Sequence, residues 1–292
     1  MDHPTQFQAY RTQAEEAILQ YLPPVDTRPE RLHAAMAYSL QAGGKRLRPI
    51  LLLAARDLFA DGPNALPAAA ALECLHSYTL IHDDLPCMDD SDLRRGKPAC
   101  HVQFDEATAV LAGDALLTHA FHLLGTAYAE HPRTAARLVA ILGEAAGSQR
   151  LIGGQMEDIA NEGRNPGPKT LDYIHRNKTA ALLTASLHMG ATLGGADEAQ
   201  VHKLLQLGEC LGLTFQIVDD LLDQSASPAD IGKPVLADSE NQKTTYLSVY
   251  GPEEARNRID ALTGQAASLC ESLAGPGSFL EWLARKLATR AT

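Results

Sequence analysis

Leu80-Ile81-His82-Asp83-Asp84-Leu85-Pro86-Cys87-Met88-Asp89 (80–89) closes an apolar helical segment with a run of carboxylates. A second stretch, Phe215-Gln216-Ile217-Val218-Asp219-Asp220-Leu221-Leu222-Asp223 (215–223), follows the same plan. Carboxylates gathered beside apolar helix are costly unless cations neutralise them. Two such clusters predict a site that collects Mg²⁺ and a polyanion. Helical bundles build carboxylate metal sites between facing helices. The fold expected is therefore all-α: one large helical bundle, a single domain over residues 1–292, with its site in a central cavity between helices.

The composition agrees with that class. The chain has 292 residues, 45% of them hydrophobic but only 5% aromatic. Scarce aromatic and β-branched residues beside abundant Ala and Leu favour helix over sheet. A formal net charge of −11 argues against a nucleic-acid partner, which would want a basic face. It leaves room for a small anionic substrate, because a few local cations can bind one. Cys74, Cys87, Cys100, Cys210 and Cys270 are scattered, odd in number and form no Cys-x-x-Cys pair. They read as reduced thiols, not as a disulfide framework or a zinc site. The start, Met1-Asp2-His3-Pro4, lacks a signal pattern, and no apolar run reads as long enough to span a membrane. A cytoplasmic protein without membrane insertion is expected.

Helical periodicity predicts helices over about 7–22, stopped by Pro23-Pro24, and over 29–41, ended at Gly43-Gly44. Further helices are expected at 51–59, 68–85, 107–129, 133–143, 144–159, 171–190, 199–222 and 252–274, then from Phe279 onward. No stretch alternates with period two. Leu80-Ile81-His82-Asp83-Asp84-Leu85 echoes Gln216-Ile217-Val218-Asp219-Asp220-Leu221, too briefly for a repeat.

Asp219 and Asp223 are four residues apart, so on a helix they share a face about one turn apart. Asp83 and Asp89 would not align on a regular helix. Pro86 is expected to end or distort the helix and let Asp89 swing back. The alternative for either run is a solvated acidic helix end. The donors are all oxygens, which suits Mg²⁺ rather than zinc or copper. Mg²⁺ keeps waters and is completed by substrate phosphates, so the implied ligand is a diphosphate.

Cations stand ready for it. Gly43-Gly44-Lys45-Arg46-Leu47-Arg48-Pro49 sets three cations behind two glycines, which admit a ligand close to the backbone. Arg94-Arg95-Gly96-Lys97 follows the first acidic run. Lys178, Lys233 and Lys243 are further candidates, and His76 lies about two turns before Asp83. Each of these taken singly also reads as a surface cation or a structural histidine.

Together these residues resemble the trans short-chain polyprenyl diphosphate synthases, and within them the bacterial farnesyl diphosphate synthases. The resemblance runs from Gly43 to Tyr246. It includes 43–49, 80–98, Val-Leu-Ala-Gly-Asp-Ala-Leu-Leu (110–117), Gly-Gly-Gln-Met-Glu-Asp (153–158), Lys178-Thr179 and 215–223. It implies head-to-tail condensation of isopentenyl diphosphate with an allylic diphosphate. It implies that Asp83, Asp84, Asp89, Asp219 and Asp223 hold three Mg²⁺ on the allylic diphosphate. Arg94, Lys178, Lys233 and Lys243 would complete that pocket. Lys45, Arg48, His76 and Arg95 would bind isopentenyl diphosphate. The Thr179 hydroxyl, the Lys178 carbonyl and the Gln216 amide would face the allylic cation, with Gln155 and Asp158 in the supporting polar shell. In the family pattern the last proton leaves to the released diphosphate, so no side-chain base is required. Lys286 and Arg290 resemble a basic tail over the isopentenyl site, or equally a solvated helix end. The family is usually homodimeric.

The growing chain would run down the helix that carries Asp83. Five residues of helix span about 7.5 Å. A phenol at Tyr78 would floor that channel and a small Thr79 would leave it open above, the pattern of enzymes that stop at C15. An ordinary core tyrosine is the alternative. Three other functions compete: a synthase making the C20 geranylgeranyl product, a class I terpene cyclase, and a non-catalytic partner subunit. A cyclase would show an Asn/Ser/Glu type of second metal motif and more aromatics. A partner subunit would have lost acidic ligands.

Overall fold

The computed structural model describes residues 1–59, 62–164, 166–225 and 245–289. Thirteen helices can be followed in them. These are α1 (His3–Tyr21), α2 (Glu30–Leu40), α3 (Leu47–Arg56), α4 (Leu66–Asp83), α5 (Cys100–Gln103), α6 (Glu106–Ala127) and α7 (Pro132–Ala146), then α8 (Leu151–Ala160), α9 (Pro168–Ile174), α10 (Ala181–Gly194), α11 (Glu198–Ser225), α12 (Tyr246–Ala274) and α13 (Phe279–Ala288). A π-helical segment, His175–Ala180, joins α9 to α10. Two strands of two residues each, β1 (Leu93–Arg94) and β2 (Lys97–Pro98), pair antiparallel.

Local signals set the ends. Asp2 caps α1, accepting from the Thr5 N–H at 2.8 Å, and Asp105 caps α6, accepting from Thr108 at 2.7 Å. Thr245 and Ser248 form a reciprocal capping box on α12. Pro67, Pro132 and Pro168 sit in first turns, where the missing N–H costs nothing.

The core is aliphatic and small-residue. Leu51, Leu52, Leu72, Leu75 and the run Ala68–Ala71 are fully or almost fully buried. Alanine at those positions lets α4 lie close against α6, while Gly190 lets α10 approach α3 and Gly208 lets α11 approach α10. At the far end α1 is clasped to α13: Tyr10 meets Phe279, and the Lys286 ammonium lies 4.9 Å from the Phe7 ring centre and 4.7 Å from that of Trp282. That contact gives Lys286 a packing role between α1 and α13.

The structure departs from the sequence reading in identifiable places. α3 begins at Leu47 rather than 51, because Pro49 falls in its first turn and is tolerated there. The stretch 133–159 breaks at Gly147–Arg150 rather than at residue 143. The stretch 171–190 divides into α9, the π segment and α10. α12 starts six residues before Pro252 and kinks at Gly251, whose φ is 80°. α6 corrects one expectation: an 18-residue window of this 22-residue helix has mean hydropathy 1.3, so by length and composition alone it is long and apolar enough to cross a membrane. In this fold α6 is a bundle helix packed on α4, α2 and α7.

Candidate active site

The first acidic run is shaped by the end of α4. The helix stops at Asp83, and the chain folds back on itself, with Asp89 N–H donating to the Asp83 carbonyl at 2.8 Å. Met88 and Asp90 both donate to the carbonyl of Leu85, and Asp90 takes a positive φ of 48°. This is the reversal expected of Pro86, and it brings Asp89 back beside Asp83. Both side chains are partly exposed. Asp84 is different: it is 2% exposed.

Asp84 is the counter-ion of Arg94. The Arg94 Nε donates to both Asp84 oxygens at 3.0 Å, and Nη2 donates to Oδ1. Burial alone would pull the Arg94 pKa down, but the hydrogen bond and charge of Asp84 outweigh it and raise the value. In this geometry the Asp84 carboxylate faces inward to the guanidinium, whereas Asp83 and Asp89 stay partly exposed.

Arg94 is delivered by the hairpin. Arg95 and Gly96, between β1 and β2, have φ of 54° and 75°, the twist that a two-residue hairpin loop requires. From this turn Arg95 reaches the other way, donating to the Gly43 carbonyl and lying against Gly44, where a Cβ would strike the guanidinium at 2.6 Å. The cation-rich loop is thus held by the hairpin. Within it Arg46 points into the protein, bonded to Glu73 at 2.8 Å and to the Leu40 carbonyl at 2.6 Å. Arg48 Nη1 donates to His76 Nε2 at 3.1 Å. Burial, reinforced by Arg48 and Arg95, holds His76 well below its usual pKa, so the ring is neutral and Nε2 accepts. Burial also lowers Arg48, to about 10. Lys45 lies 5.6 Å from the ring centre of Phe215, the residue before Gln216.

The second acidic run stays on one continuous helix, α11. Asp219 is exposed and Asp223 partly so, while Asp220 is 2% exposed. Gln216 Nε2 donates to Asp220 Oδ1 at 2.8 Å, and the Tyr246 backbone N–H donates to Asp220 Oδ2 at 2.6 Å. Gln216 Oε1 accepts from the Thr179 hydroxyl at 2.7 Å. Lys178, one residue earlier, donates to Asp158 of α8 at 2.5 Å. Lys178 and Thr179 lie on the π segment, a widened turn common at functional sites. Two glycines let neighbouring helices reach it: a Cβ on Gly154 would meet the Lys178 nitrogen at 2.3 Å, and one on Gly212 the Ala180 Cβ at 2.3 Å. His175, on the same segment, is 5% exposed and its pKa is pushed down to about 4 by burial.

Contacts and neighbouring positions in the chain together connect the two acidic runs: Asp84 to Arg94, the adjacent Arg95 to the Gly43–Lys45 loop, Lys45 to Phe215, the adjacent Gln216 to Thr179, and the adjacent Lys178 to Asp158. Gln155 lies on α8 with Asp158, with a buried amide nitrogen that has no partner among the described residues. Lower on α4, Tyr78 is buried, its hydroxyl unpartnered among the described residues and its pKa pushed up to about 12 by burial. The Thr79 hydroxyl donates to the His76 carbonyl at 2.8 Å. Lys233, Lys243 and Arg290 lie outside the described residues.

The donor set suits Mg²⁺: Asp83, Asp89, Asp219 and Asp223 offer only carboxylate oxygens at accessible positions. Among the described residues no three acidic, His or Cys side chains gather into a ready-made metal cluster. Sequence reasoning missed Asp220, His175, Tyr246 and the Arg46–Glu73 pair. One signal was available: Gln216 and Asp220 are spaced i, i+4 on one helix face.

Known proteins resemble this chain over most of its length. The family model described as polyprenyl synthetase matches residues 29–273. The farnesyl diphosphate synthase of Geobacillus stearothermophilus is 48% identical over 246 residues, covering 82% of each chain. A chloroplastic geranylgeranyl pyrophosphate synthase of Catharanthus roseus is 45% identical over 243 residues, 82% of this chain and 68% of its own. Among solved structures, the geranyltransferase of Helicobacter pylori complexed with magnesium and isoprenyl diphosphate superposes with a TM-score of 0.85. It is 32% identical, and the match covers 99% of this chain and 97% of that one.

Proposed function

This chain belongs to the polyprenyl synthetase family, and from that premise we propose that it condenses isopentenyl diphosphate with dimethylallyl and then geranyl diphosphate to give farnesyl diphosphate. The observation that carries this is the set of contacts joining the two acidic runs, with accessible carboxylates in each run and Arg, Lys and a neutral amide between. Asp83, Asp89, Asp219 and Asp223 would hold Mg²⁺, three ions in all, on the allylic diphosphate. The Mg²⁺ held by these carboxylates would supply charge neutralisation for the leaving diphosphate.

This chain's own groups do the rest. Arg94, fixed by Asp84, and Lys178, fixed by Asp158, present preset positive charge to the leaving group, with Lys233 and Lys243 as further cations. Preset charge needs no reorganisation during the reaction. Lys45, Arg48 and Arg95 hold the isopentenyl diphosphate. His76 takes part there through its neutral ring. Thr179, Gln216 and the Lys178 carbonyl face the allylic cation, and the aliphatic walls keep water from it. The released diphosphate takes the final proton. Tyr78 floors the chain channel and sets C15. The active form is a homodimer in the cytoplasm, in which exposed Val110 and Leu111 of α6 would be covered by the second copy.

The test is product analysis with Mg²⁺, labelled isopentenyl diphosphate and dimethylallyl diphosphate. Labelled C15 chains are expected, with EDTA stopping incorporation and added Mg²⁺ restoring it. A C20 product, the reading favoured by the geranylgeranyl relatives, would keep the chemistry and discard Tyr78 as the floor. No incorporation from either C5 or C10 primer would overturn the proposal.

A further inference from the structure

Asp220 is the buried half of the second acidic pair, and both its oxygens accept from N–H groups. An ionised carboxylate can only accept hydrogen bonds. Gln216 must therefore turn its amide nitrogen toward Asp220 and its amide oxygen away. That oxygen faces the Thr179 hydroxyl at 2.7 Å. An amide oxygen has no proton to give, so Thr179 must donate. Its single hydroxyl proton is thereby committed to Gln216, and the remaining side of the Thr179 oxygen presents only lone pairs.

We infer that Asp220 is a positioning residue and not a metal ligand. It fixes the direction of donation Thr179→Gln216→Asp220, and so turns the lone pairs of Thr179 toward the cavity where the allylic cation forms. The inference rests on the proposed function in placing Thr179 and Gln216 beside that cation. The geometry of the relay stands without it. The Tyr246 N–H holds the second Asp220 oxygen at 2.6 Å, and the His175 ring nitrogen lies 3.8 Å from that oxygen, so the carboxylate is held on both sides. Because Tyr246 opens α12, the same carboxylate ties the start of that helix to α11 and the π segment.

Asparagine is the discriminating substitution, since it keeps the shape but supplies one acceptor where two donors arrive. In Asp220→Asn the side-chain oxygen can serve Tyr246 only if the side-chain nitrogen faces Gln216. Gln216 must then flip, offering its oxygen to the introduced amide and its nitrogen to Thr179. Thr179 becomes an acceptor, and its hydroxyl proton is left free to point at the cation. Restoring the direction needs an acceptor-only group at 216. In the double variant Asp220→Asn with Gln216→Glu, the introduced carboxylate accepts from both the introduced amide and Thr179, and the net charge is that of the wild type.

The experiment measures steady-state prenyl transfer and its Mg²⁺ dependence in wild type, Asp219→Asn, Asp220→Asn and the double variant. It adds hydrogen–deuterium exchange over the peptide that begins at Tyr246, in Asp220→Ala as well. For Asp220→Asn, kcat should fall about 10²-fold, the loss typical of one misdirected dipole at a charged transition state. The half-saturating Mg²⁺ concentration should stay at the wild-type value. Asp219→Asn should instead raise the Mg²⁺ requirement. The double variant, in which every donor regains an acceptor, should fold and recover at least roughly tenfold of the lost rate. Exchange at the start of α12 should quicken in Asp220→Ala, where the Tyr246 N–H loses its acceptor, and should stay at the wild-type rate in Asp220→Asn. An Mg²⁺ requirement that rises in Asp220→Asn as it does in Asp219→Asn would overturn the inference. So would a double variant no faster than the single one, or exchange near Tyr246 unchanged in Asp220→Ala. A wild type without prenyl transfer would instead sink the proposed function, and the exchange measurement would still judge the relay.

Discussion

The two acidic runs reach the same arrangement by opposite backbone routes. In the first, α4 ends and the chain reverses through Pro86, so that Asp89 returns beside Asp83. In the second, α11 continues and places Asp219 and Asp223 one turn apart. In both, the leading aspartate is accessible and its neighbour is buried. The buried carboxylates are compensated differently. Asp84 faces a full positive charge on Arg94, whereas the partners of Asp220 among the described residues include two N–H donors and a neutral histidine. A doubled aspartate thus divides the work: one carboxylate is offered to a ligand, and the other organises the protein around it.

That division can be broken most severely at the accessible acids. Asp83→Ala and Asp219→Ala should each lower kcat on the order of 10³-fold, as expected when charge stabilisation of a leaving group is removed. Melting temperatures should hold, because neither side chain is buried; calorimetry beside rate measurements checks this. A stability loss equal to that of the buried acids would erase the distinction.

The next effect falls on the buried pair. Arg94→Met strands the Asp84 charge and should cost about 3–5 kcal/mol of folding free energy. Urea unfolding measures it, and a cost below about 1 kcal/mol would mean that the pair behaves like an exposed one.

Acid should act on both halves, because burial holds His76 of α4 neutral and, behind the second run, also His175. The folded pKa of His175, about 4, lies below the unfolded value, so between pH 6.5 and 4 the unfolded chain binds the extra proton. Stability is complete above that window and falls through it, by about 3 kcal/mol from this group. His175→Gln should flatten the decline. An equally steep fall in the variant would assign it to other groups.

Tyr78→Ala should lengthen part of the product toward C20 without altering the Mg²⁺ requirement; chromatography of the dephosphorylated chains reads it. The smallest change is expected far from both runs. Lys286→Met removes the ammonium from its two aromatic neighbours and should cost about 0.5–1 kcal/mol. Its KM for isopentenyl diphosphate should not move. A raised KM would place Lys286 in that site after all.

Much of this organisation was legible from residue spacing. The i, i+4 relation of Asp219 and Asp223 survives intact in α11, and the helix-breaking chemistry of Pro86 foretold the return of Asp89. What escaped depends on partners distant in sequence. Nothing local to Asp84 announces that Arg94 arrives on a hairpin, because strands of two residues carry no periodicity. The π segment reads as ordinary helix, since one widened turn leaves the apolar pattern of 171–190 intact. Tyr246 reaches Asp220 through its backbone N–H, a contact invisible to residue type. The membrane-length character of α6 was missed because its apolar residues are interrupted by Asp114 and two histidines, which spread the run rather than end it.

The hairpin has a consequence for how this chain can change over time. Arg94 and Arg95 are adjacent yet serve opposite walls, the one Asp84 and the other the Gly43–Gly44 loop. Their divergence comes from the turn's residue count, since adding or deleting one residue in a strand exchanges the faces of everything beyond it. Residues around the turn can drift in identity. A single insertion or deletion there would unseat both guanidiniums together, so apart from Arg94, Arg95 and Gly96 this short segment is free in letter and fixed in length.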